Sequence, residues 1–296
     1  MIKLEDLEIT YDKPHWCPGC GNFGIWMALK NAIIALNLNP WDIVLVSGIG
    51  CSSKIPYWVK TYGFNSLHGR PVPVAEGIKL ANHKLTVIVV AGDGDQYGEG
   101  LNHLIHAARR NIDITVIIHN NQTYALTTGQ YSPTTDLKEK NKASPTLISE
   151  PPLNPLLLSL SAGATFVARG FAGDCKEETE LIAKAIKHKG LSLIDTLQPC
   201  VTFNKKNTFQ WFKERVYKLE ESGHDSKNKQ KAIIRTQEWP LVKPLIKGEK
   251  EKIPTGIFYQ EERATFEEET PQIDKTPLVK QELSNINIAP LLTPLY

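Results

Sequence analysis

Two short stretches hold the residues best suited to chemistry in this 296-residue chain: Gly92-Asp93-Gly94-Asp95 and, one helix later, Asn120-Asn121. The first closes the apolar run Leu85–Ala91, as a tight turn does at the carboxyl end of a buried strand. Glycines at such a turn let backbone amides approach phosphate oxygens, and the following helix offers them its N-terminal dipole. Asp93 supplies a hard carboxylate oxygen, and Asn121, at the end of the next apolar run, can add an amide oxygen. Two such ligands together with diphosphate oxygens suit octahedral Mg²⁺, which is seldom held by an all-protein cage. Taken singly, Gly-Asp-Gly and Asn-Asn are ordinary turn sequences. Their specificity comes from closing two apolar strands one helix apart, at the edge where open α/β sheets bind ligands.

The cysteines form the second constellation. There are five: Cys17, Cys20, Cys51, Cys175 and Cys200. Cys17-Pro18-Gly19-Cys20 precedes the first helix, and such a pair suits a tetrahedral metal, one edge of an iron–sulfur cube or a redox dithiol alike. Cys51, in Gly48-Ile49-Gly50-Cys51-Ser52-Ser53-Lys54, lies just beyond one strand end and Cys200 just beyond another, on the same expected edge as Asp93. Four thiolates converging there could hold zinc or a 4Fe–4S cluster. Cys175 follows Asp174 in a charged helix start and reads as a free surface thiol. His68, in Leu67-His68-Gly69-Arg70, is at first sight a hydrogen-bonding loop residue, and Lys54 a solvated lysine that could also pair with a substrate carboxylate. His103 and His106, three apart on a helix without a third ligand, read as packing or surface residues.

Positioning these groups requires strands that end together. Ile43–Val46, Leu85–Ala91, Ile112–Ile118 and Leu191–Leu197 are continuously apolar, as parallel strands covered on both faces are. Helical patterns lie between them: Asn22–Leu36, the segment from Val72 to Ala81, and Leu101–Arg109, whose Leu101, Leu104, Ile105 and Ala108 follow one helix face. Asp174 with Glu177 three residues on reads as an N-cap, opening a helix that buries Leu181, Ile182, Ala185 and Ile186. This alternation predicts a doubly wound, mostly parallel α/β sheet. Residues 1–200 are expected to form that domain. Residues 201–296 are rich in Lys, Glu, Gln and Pro, with helix expected only near Gln210–Glu221. They read as an irregular C-terminal extension, spaced by Pro240, Pro244, Pro254, Pro271, Pro277, Pro290 and Pro294, that wraps a partner or the thiol site.

Composition narrows the function classes. A net charge of +2 gives no electrostatic case for nucleic acid or an anionic membrane. No apolar run approaches the length needed to span a bilayer. The acidic, polar start Met1-Ile2-Lys3-Leu4-Glu5-Asp6 is unlike a signal peptide. The expectation is a cytoplasmic protein whose cysteines are reduced thiols or metal ligands.

Gly-Asp-Gly followed by Asn-Asn at this spacing resembles the signature of thiamine-diphosphate enzymes. The longer set resembles the beta subunit of 2-oxoacid:ferredoxin oxidoreductases. It comprises Gly92–Asp95, His103–Asn111, Asn120-Asn121, Tyr124, Gly129-Gln130 and Ser132-Pro133-Thr134-Thr135, joined by Trp16–Gly21, Gly48–Ser52 and Cys200. The resemblance covers residues 15–200 well and the remainder poorly. It implies a fold of the diphosphate-domain type, with a cofactor cleft built from Ile49, Gly50, Cys51, His68, Gly92, Asp93, Gly94, Asp95, Asn121, Thr123, Ala125 and Leu126. It implies that Asp93 and Asn121 bind Mg²⁺ through side chains and Thr123 through its backbone carbonyl, and that Cys17, Cys20, Cys51 and Cys200 hold a 4Fe–4S cluster. It places His68 and Lys54 near the thiamine or substrate as candidate catalytic residues. The reaction it implies is oxidative decarboxylation of a 2-oxoacid to an acyl group that leaves on coenzyme A, with electrons passing through the cluster to ferredoxin. One diphosphate signature and no room before it for a second domain imply that an alpha subunit supplies the activating glutamate. Glu76, Ala125 and Thr128 depart from the family pattern, and the last two bear on substrate choice. The rival classes are a non-redox thiamine-diphosphate enzyme with structural zinc, and a zinc- or cluster-binding structural subunit with a vestigial diphosphate site.

Overall fold

The computed structural model describes residues 1–137, 139, 146–240, 251–273, 275–282, 284, 287 and 289–292. Pro244, Pro294 and the rest of the expected extension outside those ranges lie outside the described residues. The elements run α1 (Asn22–Ala35), β1 (Ile43–Ser47), β2 (Tyr62–Asn65), α2 (Pro71–Ala81), β3 (Thr86–Gly92), α3 (Leu101–Arg110) and β4 (Thr115–Asn120). A short hairpin, β5 (Thr123–Tyr124) and β6 (Gln130–Tyr131), follows. Then come α4 (Pro155–Ala162), β7 (Phe166–Phe171), α5 (Cys175–Lys187), β8 (Ser192–Leu197), α6 (Phe209–Lys213), β9 (Val216–Lys218), α7 (Lys229–Thr236) and β10 (Ile253–Gln260).

Among the described residues, eight strands form one sheet in the order β2-β1-β3-β4-β8-β7-β10-β9. From β2 through β7 every pairing is parallel. The pleat sends alternate residues to opposite faces. Val44, Val46, Val87, Val89, Val116 and Ile118 meet Val72 of α2 and Leu104 of α3 on one side. Ile43, Leu45, Ile88, Val90 and Ile117 meet Ile25 and Leu29 of α1 and Leu181 of α5 on the other. Both faces are therefore dry, which is why these strands read as unbroken apolar runs. Each such side chain contributes roughly 1.5–3 kcal/mol on burial.

Four expectations need correction. The third apolar run becomes strand only from Thr115, because Asn111 caps α3 in the left-handed conformation (φ 55°) and turns the chain at Ile112. Gln210–Glu221 is not one helix: α6 ends at Lys213 and Val216–Lys218 turns extended. Cys175 is half-buried, not a surface thiol, and its Sγ faces the Gly24 carbonyl at 3.9 Å. Lastly, the extension is not irregular throughout. β10 pairs antiparallel with β7 and is buried along most of its length. Pro254 and Gly256 hid it, since both residues speak against a strand interior. Gly256 adopts φ 107°, and the register with β7 shifts between Ile257 and Tyr259. Two further strands carried little signal. β7 contains Arg169 and Gly170 and is wholly buried, whereas edge strand β2 is wholly exposed. Among the described residues, no helix is long and apolar enough to cross a membrane.

Candidate functional site

The carboxyl ends of β1, β3, β4 and β8 bring the predicted residues to one edge. After β3 the chain passes through Asp93 into a π-helical turn, Gly94–Glu99, before α3 begins at Leu101. Gly94 is obligatory there, because a Cβ would sit 2.5 Å from the ring of Tyr124, whose hydroxyl donates to the Gly94 carbonyl at 3.2 Å. Gly48 is equally constrained: a Cβ would lie 1.8 Å from Oδ2 of Asp95. Asp95 Oδ1 accepts from the backbone amides of Ile49 (3.2 Å) and Gly69 (2.7 Å) and contacts His68 Nδ1 at 2.5 Å. A single buried carboxylate thus ties together the loops that carry Ile49–Cys51 and His68. His68 in turn packs edge-on against Tyr124.

The result is a small cleft lined by Ile49, Gly50, Cys51, His68, Gly94, Asp95, Asn121, Thr123, Tyr124, Ala125 and Leu126. Asp93 lies buried behind it. Burial pushes its carboxyl up to about 6, against the hydrogen bonds of Ser132, Thr134 and the Asn121 amide. None of those neighbours is cationic, and Asp195 adds negative charge. A divalent cation with diphosphate oxygens would supply the missing positive charge, so the donor set fits Mg²⁺. Asn121 Oδ1 accepts from the Thr123 amide at 3.1 Å, and its Nδ2 donates to Gln198 Oε1 at 3.0 Å.

A buried network holds Asp93 from behind. The Thr134 hydroxyl is shared between Asp93 Oδ2 (2.6 Å) and Asn120 Oδ1 (3.0 Å). Asn120 Nδ2 and the Tyr97 hydroxyl both donate to Asp195 Oδ1 at 3.0 Å, and Arg169 Nε donates to Asp195 Oδ2 at 3.2 Å. Arg169 also lies over the ring of Trp239 and donates to its carbonyl.

Cys17, Cys20, Cys51 and Cys200 line a second cavity of about 210 Å³, with His15, Trp16, Asn22, Lys54, Gln198 and Phe203 among its other walls. The Trp16 indole donates to the Cys51 carbonyl at 2.7 Å, and its ring packs against Phe23, Trp26 and Trp58. Burial pushes the Cys20 thiol up to about 12; the Asn22 amide opposes this, and the other three thiols reinforce it. Cys51 is raised for the same first reason. Such thiols become ligands only when a cationic centre compensates their charge. Among the described residues, no three of His, Cys, Asp or Glu stand close enough to share one metal ion. Four thiols bordering one space of about 210 Å³ are soft donors of the kind that zinc and iron–sulfur centres both take.

Lys54 borders the thiol cavity, not the small cleft, and draws the Cys51 thiol down against its burial. Glu76 pairs with Arg110 at 2.7 Å, joining α2 to α3 away from the cleft. Asp195, Asn22 and Gln198 stood outside every motif of the sequence, and Asn120 and Thr134 were parts of motifs without a role of their own. Gln198 had a usable signal, because it stands at a strand's carboxyl end two residues before Cys200. Its Nε2 reaches Cys20 Sγ at 3.5 Å while its Oε1 holds Asn121, so one amide touches both cavities.

Residues 48–196 match the C-terminal TPP binding domain of thiamine pyrophosphate enzymes, and residues 200–275 the C-terminal region of the pyruvate ferredoxin oxidoreductase beta subunit. The chain is 49% identical over 267 residues to a 2-oxoacid:ferredoxin oxidoreductase subunit beta of Saccharolobus solfataricus, covering 86% of this chain and 84% of that one. It is 42% identical over 296 residues to 2-oxoacid:ferredoxin oxidoreductase 1, subunit beta, of Aeropyrum pernix, covering 94% and 90%. Among solved structures, 2-oxoglutarate:ferredoxin oxidoreductase from Magnetococcus marinus, with 2-oxoglutarate, coenzyme A and succinyl-CoA bound, superposes with a TM-score of 0.88 at 33% identity, covering 100% of this chain and 96% of that one. With a thiamine-pyrophosphate domain, four thiols at its ligand edge and these relatives, the chain belongs to the beta-subunit family of the 2-oxoacid:ferredoxin oxidoreductases.

Proposed function

We propose that this chain is the thiamine-diphosphate-binding subunit of a heteromeric enzyme that converts a 2-oxoacid to its acyl-CoA and passes the electrons through a 4Fe–4S cluster to ferredoxin. The observation that carries this reading is a shared wall. Cys51, Asn121, Ala125 and Leu126 line both the cofactor cleft and the four-thiol cavity. A reducing cofactor in the first is thereby one residue's thickness from an electron carrier in the second.

Within this reading Asp93 and Asn121 bind Mg²⁺ through their side chains and Thr123 through its carbonyl, while Gly92 and Gly94 leave room for the diphosphate. Thiamine diphosphate, when bound, supplies the nucleophilic carbon and the cationic ring that accepts electrons on decarboxylation. The chain's own residues orient and insulate. Asp95 holds His68 at the cleft, where its ring can reach substrate or cofactor, and Ile49 and Leu126 present apolar surface beside it. Lys54 sets positive charge beside Cys51, suited to a substrate carboxylate or to the anionic cluster. Cys17, Cys20, Cys51 and Cys200 hold the cluster, and Val201, Thr202 and Phe203, which line its cavity, begin the covering role of residues 201–296, whereas residues 1–200 carry the ligands. Among the described residues no glutamate lines the cleft, which supports an alpha subunit as the source of the activating carboxylate.

Anaerobic purification with the partner subunit tests the reading. The expected product is a brown protein with stoichiometric iron, sulfide and thiamine diphosphate. Its cluster signal should change on adding 2-oxoacid and coenzyme A, and it should reduce ferredoxin. A panel of pyruvate, 2-oxoglutarate and branched or aromatic 2-oxoacids identifies the substrate. A colourless zinc protein without 2-oxoacid-dependent ferredoxin reduction overturns it.

A further inference from the structure

Asn22 is the first residue of α1 and is 1% exposed, yet it forms part of the wall of the four-thiol cavity. Its Oδ1 lies 2.7 Å from Nδ1 of His119, which is itself fully enclosed at the end of β4. Its Nδ2 finds no partner among the described residues. A buried amide donor without an acceptor is destabilising, so this one calls for a partner. The backbone amide of Asn22 already serves Cys20, and Gln198 Nε2 reaches the same sulfur at 3.5 Å.

We propose that the Asn22 side-chain amide, oriented by His119, donates a hydrogen bond to sulfur of the cluster held by Cys17, Cys20, Cys51 and Cys200 and raises its reduction potential. This rests on the cluster reading above. Two orientations of the Asn22 amide are chemically conceivable. With Nδ1–H of His119 donating to Oδ1, the NH₂ group is left free to serve sulfur in the adjoining cavity and His119 Nε2 is left as a bare acceptor. The reverse would point a carbonyl oxygen at anionic sulfur and strand an Nε2–H donor in the core, where orphaned donors are the rarer defect. The first arrangement is therefore the stable one, and His119 acts on the cluster only through Asn22. Hydrogen bonds to cluster sulfurs are one of the levers that set these potentials, because they stabilise the more negative, reduced state. The consequence is a cluster better able to accept an electron from the neighbouring cleft.

The test is an EPR-monitored redox titration of the anaerobically purified, assembled enzyme, with iron and sulfide measured on each sample. Asn22→Leu should lower the potential, changing the oxidised-to-reduced ratio at fixed potential by about tenfold, which is 59 mV for a one-electron couple. Asn22→Ser, smaller and still polar, should move it in the same direction. His119→Leu should give a smaller drop in the native background and none in the Asn22→Leu background. An unmoved potential in both Asn22 variants at full cluster content overturns the proposal. So does loss of iron from both with the fold intact, which would make Asn22 an assembly residue. A His119→Leu shift that adds fully in the double variant overturns the orienting role. Zinc in place of iron in the native enzyme defeats the proposed function itself, so the two failures are told apart.

Discussion

Asp93, Asp95 and Glu178 are all buried carboxylates raised above their ordinary range, but they differ in what compensates them. Asp95 has two backbone amides and His68, which suits a brace between loops. Asp93 has hydroxyls and one amide, which leaves its charge for a cation. Removing the Thr134 hydroxyl, which contacts Asp93, Asn120 and Ser132, should therefore weaken cofactor binding without abolishing it. Thr134→Val is expected to cost roughly tenfold in thiamine diphosphate–Mg²⁺ affinity, about 1.4 kcal/mol, by titration calorimetry; an unchanged affinity would remove Thr134 from the site. Glu178, at the other face of the sheet, accepts from Thr196 at 2.6 Å, and its Oε2 has no partner among the described residues. Burial pushes it from 4.5 up to about 7. Between those values the folded chain keeps a proton that the unfolded chain has lost, so stability falls as pH rises through the window and levels off above it. Glu178→Gln should match the native chain near pH 5 and exceed it near pH 8 by up to about 3 kcal/mol in denaturant unfolding. Equal pH slopes for the two proteins would contradict this account.

At the scale of elements, the strand ends collect ligands and the helices and loops are shaped to let them meet. The π-helical turn after Asp93 delays the start of α3, so that Asp93, Asp95 and Tyr97 all face inward before helical periodicity resumes. β10 is the other decisive element. Its Phe258 is fully buried and lies against the guanidinium of Arg169, which holds Asp195 and, through Asn120 and Thr134, the back of Asp93. The C-terminal strand is thus structural support for the cofactor edge. Phe258→Ala should destabilise the chain by about 3–5 kcal/mol in thermal or denaturant unfolding, as large cavities in a packed core do. A change below about 1 kcal/mol would return this segment to the status of a loose extension.

At the scale of the whole molecule, both cavities lie on one sheet edge and share a wall, and no glutamate among the described residues lines the cleft. The chain by itself should bind no substrate productively. Turnover of 2-oxoacid should appear only on adding the alpha subunit, in an assay of ferredoxin reduction; turnover by the isolated chain would end that view. What the sequence determined alone was the doubly wound sheet and which candidate residues stand at its strand ends. Short unbroken apolar runs bounded by turn residues read as strands covered on both faces, and Asp93, Asn121, Cys51 and Cys200 announce themselves by standing where those runs stop. Cys17-Pro18-Gly19-Cys20 left zinc, cluster and dithiol equally open, because spacing along the chain does not report how far apart four thiols stand in space. The tertiary structure brought the four thiols to one cavity, and it alone revealed the strand hidden by Pro254 and Gly256 and the contacts of Thr134, Asp195, Asn22 and Gln198. These last are ordinary polar residues in sequence. They matter because burial at the meeting of four strands removes water from them, and each must then find its partner in the protein or in the groups the site holds.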